Sequence, residues 1–103
     1  MTSFDDRQKA QENKYAHEEE LKFKSRARAA KLLGQWAATN LGVPADAYAA
    51  ELINLTTSGK PESALIKKVH DDMVAAGKDL SLDLIGEKYN RCLSEAKEQV
   101  LKS

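Results

Sequence analysis

The chain has 103 residues, enough for one small domain and too few for two. Its 16 basic residues balance 16 acidic ones, which argues against general nucleic-acid or membrane binding, both of which usually show as a basic excess. Glycine and proline are scarce, and alanine, leucine, lysine and glutamate dominate, so the expected class is all-α. The lone cysteine, Cys92, fits a reducing compartment. With no apolar run after a basic start and none near the ~20 residues of a membrane span, a cytosolic or peripheral protein is expected.

The first helical segment runs from about Phe4 to Asn40 and is unevenly built. Residues 2–20 offer only Phe4, Ala10, Tyr15 and Ala16 as apolar groups, whereas LLGQWAATNL from Leu32 onward is core-like. Helicity in the early part must come from propensity and from pairs such as Asp5–Lys9, Glu18–Lys22 and Glu20–Lys24, each worth only ~0.2–0.5 kcal/mol. An isolated helix of that length is marginal in water, so the arm is expected to fray or be disordered when the protein is free. Phe4, Gln8, Gln11 and Tyr15 line one thin face that a partner's groove could read. After the acidic run Glu18-Glu19-Glu20 come Lys22, Lys24, Arg26, Arg28 and Lys31, a local charge of about +5 in a neutral chain.

Gly42 and Pro44 end this segment and start the second, which spans roughly 44–57 with Tyr48, Leu52 and Leu55 at helical spacing. Ser58-Gly59-Lys60-Pro61 forms the next break. The third helix, about 61–76, has an apolar stripe of Leu65, Ile66, Val69 and Met73; Lys67–Asp71 and Lys68–Asp72 pairs are expected on its other face. Gly77 stops it. The fourth, about 81–101, starts at Ser81 as N-cap, with Leu80 and Ile85 placed for a hydrophobic staple and one apolar face continuing to Val100. Short connections favour a compact four-helix bundle. Its expected core is Leu32, Leu33, Trp36, Ala37, Leu41, Leu52, Leu55, Ile66, Val69, Met73, Ile85, Tyr89 and Leu93. The expected organisation is a single domain, 1–103: a flexible arm over 1–20 and a bundle over 21–103, in which the first helix occupies about 18–40.

Catalysis finds little support. There is no glycine-rich phosphate loop and no nucleophile motif. His17 and His70 are far apart in sequence, and Cys92 falls on an apolar face as a core thiol. His70 has no second ligand at i+3 or i+4, and adjacent carboxylates such as Asp71-Asp72 point about 100° apart on a helix, so no catalytic or metal residue is assigned. The basic stretch reads as a solvated helix face, or as a patch for a partner's acidic surface or a nucleotide's phosphates through Arg26, Arg28 and Lys31. No cofactor is expected beyond weak ADP or ATP binding there.

The pattern FDDR at 4–7, KYAHEEELKFK at 14–24 and KLLGQWAA at 31–38 resembles the ATPase inhibitor zeta subunit family of the alphaproteobacterial F-type ATP synthase, long catalogued as a domain of unknown function. The resemblance is dense over residues 3–43 and weaker beyond. It implies a regulatory subunit, not an enzyme, that binds the alpha, beta and gamma subunits of the catalytic head and inhibits ATP hydrolysis. By that resemblance the arm enters a catalytic alpha/beta interface near the central stalk, becomes helical there and impedes hydrolytic rotation. The matching arm positions are Phe4, Arg7, Lys14, Tyr15, His17, Glu18 and Glu19, with Phe4 and Tyr15 as apolar anchors and Arg7 and Lys14 pairing with subunit carboxylates. The chain departs from the family pattern at Gln8, Gln11 and Ala29, where glutamate, an aromatic residue and arginine are common. The location implied is cytoplasmic, peripheral to the inner membrane through the ATP synthase. The competing readings are a weak adenine-nucleotide-binding helical sensor and a general helical interaction adaptor.

Overall fold

The computed structural model describes the backbone of residues 3–102 and the side chains of residues 19–101. Four helices follow in order: α1 Ser3–Leu41, α2 Ala45–Thr57, α3 Glu62–Ala75 and α4 Leu82–Lys102. The described backbone contains no strand, and the all-α, four-helix expectation holds with ends shifted by one or two residues. At ~1.5 Å per residue the 39 residues of α1 span about 58 Å.

The helix ends follow local chemistry. Gly59 and Gly77 adopt φ of +87° and +78°, a region that costs a side chain strain and glycine little. This lets Lys60 N–H reach back to Leu55 O at 3.0 Å and Lys78 N–H to Met73 O at 2.8 Å. Together with Gly59 N–H on Thr56 O and Gly77 N–H on Val74 O, these bonds satisfy the last carbonyls of α2 and α3 in Schellman fashion. At the start of α4, Leu84 N–H donates to Ser81 Oγ at 3.1 Å, the N-cap expected of Ser81.

Helix α1 is the spine. It packs on α2 and α4 most extensively and also touches α3. Its buried face consists mainly of small residues, Ala29, Ala30, Ala37 and Ala38, around Leu33. The facing helices supply the bulk: Leu52 from α2, Leu65, Val69 and Met73 from α3, and Ile85 and Tyr89 from α4. Each fully buried aliphatic or Met side chain here contributes about 1.5–3 kcal/mol. Alanines on the spine let neighbouring backbones approach closely, and Gly34 beside Ala49 is the tightest case.

The core therefore differs from its sequence expectation. Leu32, Trp36, Leu41, Leu55, Ile66 and Leu93 are only partly buried and pack around the core's margin. Small residues that a hydrophobicity count undervalues, Ala29, Ala30, Ala38, Ala49 and Ala96, take inner places, as do Leu65 and Tyr48. Trp36 sits at the margin with the Lys88 ammonium 5.8 Å from its ring centroid, an arrangement that suits a large ring with one wet edge.

Candidate interaction surface

The arm side chains singled out by sequence, Phe4, Arg7, Lys14, Tyr15, His17 and Glu18, lie outside the described residues, as does the expectation that this arm frays when free. The seventh, Glu19, is exposed at the start of the described stretch and approaches Lys22 Nζ at 3.9 Å. One turn on, Lys24 pairs with Glu20 at 3.1 Å, as the i,i+4 spacing predicts. Both pairs are well exposed, so each contributes little to stability.

The basic stretch does not converge on one point. Arg26 faces the α2–α3 connection, where it lines a groove. Arg28 turns to the other side and donates from Nη1 to Gln99 Oε1 of α4 at 3.0 Å. Lys31 is exposed. Positions 26 and 28 stand about 200° apart around the helix axis, so the sequence grouping of Arg26, Arg28 and Lys31 is divided between two sides of α1.

Arg26 lines a groove of about 870 Å³. One wall is the beginning of the described part of α1, with Glu19, Lys22, Phe23 and Arg26. The other is the α2–α3 connection with Lys60, Pro61, Glu62 and Ser63, and Leu65 and Tyr89 lie deeper. Phe23 is 53 % exposed, a large ring left in water between two lysines. Sequence reasoning missed Phe23, Lys60 and Tyr89 as a set, because they come from two helices and a loop far apart in sequence. An aromatic residue off the helix's apolar stripe, at KFK, was the one available signal.

Burial pushes the Tyr89 hydroxyl up to about 12; the Glu62 charge adds to this, while Arg26 acts against it. The phenol therefore stays protonated, and a donor, at any physiological pH. Between α2 and α3, Tyr48 Oη donates to Asp72 Oδ2 at 2.7 Å. Lys68 Nζ lies 3.2 Å from both Asp72 and Glu51, and 5.4 Å from the Tyr48 ring centroid. Burial lowers the Lys68 pKa, but its bonds to Glu51 and Asp72 outweigh that and raise it. The expected Lys68–Asp72 pair is formed, and through Tyr48 and Glu51 it also ties α3 to α2. The other expected pair is replaced: Asp71 lies 3.8 Å from His70 Nδ1, and no ion pair joins it to Lys67.

Cys92 is buried, and burial raises its thiol pKa. It is a packing residue of the core, as its place in the apolar stripe implied. Among the described residues no three of His, Cys, Asp and Glu gather into a metal-holding group. No helix among them is long and apolar enough to cross a membrane.

The chain is an all-α four-helix protein with a long, charged leading helix and a mixed-charge groove beside it. The chain belongs to the ATPase inhibitor subunit zeta family, whose profile matches residues 1–99. Membership identifies it as an ATPase inhibitor subunit, regulatory in role, with an ATP synthase as the implied partner. No curated protein and no solved structure matches the chain.

Proposed function

We propose that this protein inhibits ATP hydrolysis by inserting its arm, residues 1–20, at a catalytic alpha/beta interface of the F-type ATP synthase head, close to gamma. Phe4 and Tyr15 supply apolar anchors, Arg7 and Lys14 meet subunit carboxylates, and His17, Glu18 and Glu19 complete the contact. The observation that carries this reading is the division of labour along α1. Among the described residues, the helix that runs from Ser3 makes its buried contacts from Ser25 to Ala38, and the sequence before residue 19 has almost nothing apolar to bury. The later part of α1 is the spine of a packed bundle, so the bundle acts as a handle from which the arm extends. The ordering cost of the arm falls at the moment of binding, which places specificity in the partner's groove. The site of action is the cytoplasmic face of the membrane that carries the ATP synthase.

The test is addition of the full chain, and of a chain lacking residues 1–17, to an ATP synthase preparation. The full chain suppresses hydrolysis more than synthesis. The truncated chain keeps its helical circular dichroism and loses inhibition; retained inhibition would refute the wedge.

A further inference from the structure

The groove at the root of the arm holds a polar group with nothing to bond. Tyr89 is 1 % exposed, yet its hydroxyl has no hydrogen-bond partner among the described residues. No described side-chain polar atom is both sealed from solvent and unpaired. The Tyr89 hydroxyl therefore opens to the groove that the residue lines. Around it stand Arg26 and Lys60, neither of which has an acidic partner within ion-pair distance among the described residues. The first turn of α3 borders the same space. Its N-cap position is Pro61, which makes no side-chain cap, and the positive end of the helix dipole there adds a small preference for negative charge.

We propose that this groove is a second docking point for the ATPase, taking one carboxylate side chain flanked by an apolar one from the partner's surface. Charge selects the occupant. Lys22, Arg26 and Lys60 are set against Glu19 and Glu62 among the lining residues, a balance of one positive charge. A single carboxylate neutralises it, whereas a polyphosphate brings surplus negative charge against the two glutamates. The apolar half of the match is Phe23, exposed on the rim. The inference rests on the wedge reading for its partner, and on position for its geometry. The groove begins at Glu19, in the last turn of the arm, so a head that grips the arm meets the groove next.

The test is titration of ATP synthase hydrolysis with the full chain carrying Tyr89→Phe, or Arg26→Gln with Lys60→Gln. The conservative Tyr89→Phe change keeps the buried ring, and circular dichroism checks each fold. The double variant is expected to raise the half-maximal inhibitory concentration about tenfold and Tyr89→Phe about threefold. The plateau of inhibition stays unchanged, because the arm still blocks. Wild-type titrations for both variants, alongside lost inhibition on deleting residues 1–17, would remove the groove and leave the wedge standing. Weakened titrations together with full inhibition by the deleted chain would remove the wedge and keep the groove as a contact. Amide shifts at Arg26, Lys60 and Tyr89 on adding millimolar pyrophosphate would overturn the carboxylate assignment; none are expected.

Discussion

Gly34 of α1 faces the backbone of Ala49 of α2 so closely that a methyl group on Gly34 would stand 2.6 Å from Ala49 Cα. The contact is backbone against helix, with no flexible side chain to yield. It sets how near α2 lies to the spine.

Gly34→Ala is therefore expected to destabilise the bundle despite alanine's better helix propensity. Overpacking costs ~1–3 kcal/mol and the propensity gain returns up to about 1 kcal/mol. Urea unfolding followed by circular dichroism measures the difference. A stability equal to or above wild type would mean that the helices separate at no cost.

Stability is expected to fall as pH rises above about 10. Burial, the Asp72 hydrogen bond and the charges of Asp72 and Glu51 raise Tyr48 well above its ordinary 10.0, and burial raises Tyr89 to about 12. The unfolded chain releases each phenolic proton near pH 10 while the folded chain holds it, so their contribution is complete below that pH. For Tyr89 it is lost by about pH 12. Each group adds up to ~1.4 kcal/mol per pH unit to the slope in its window. Lys68, also raised, acts in the same sense. Alkaline unfolding curves for Tyr48→Phe and Tyr89→Phe should each be shallower than wild type.

At neutral pH, Tyr48→Phe removes the 2.7 Å bond to Asp72 but leaves Lys68 on the carboxylate. A loss of about 1 kcal/mol follows, the scale of one hydrogen bond whose acceptor keeps another partner. Thermal unfolding at pH 7 reads it, and a loss above ~3 kcal/mol would show that the whole cluster collapses with the hydroxyl.

Cys92 should react with a disulfide reagent only as fast as the bundle opens. Its thiol is buried and its pKa raised, both of which suppress the thiolate. Modification kinetics in rising urea should accelerate toward the free-thiol rate. Fast reaction in buffer alone would contradict the packing.

For the arm, Phe4→Ala and Tyr15→Ala are each expected to weaken inhibition by ~1–2 kcal/mol, roughly tenfold in half-maximal concentration. The unfolding curve should not move, because the buried residues of α1 begin at Ser25 among the described residues and the wedge reading gives Phe4 and Tyr15 to the partner. Inhibition titrations paired with melting curves separate the two effects.

Helix number, helix ends and the buried place of Cys92 were legible in the chain because they are local. Gly59, Gly77, Ser81 and the stripe from Ile85 to Ala96 act through neighbours three or four residues away. The arm's candidate residues came from a different source, the likeness over residues 3–43, and the family profile supports that likeness along residues 1–99. What tertiary structure alone decided is which side of each helix faces which neighbour. It moved Trp36 to the margin and Ala29 to the interior, turned Arg28 toward Gln99 and Arg26 toward Lys60, and brought Tyr89 beneath both walls of the groove. Helical periodicity defines a face only to within a wide arc, and the choice within that arc falls to the closest backbone approach. Along α1 that approach is made by glycine and alanine, the residues with least hydrophobic signal to read.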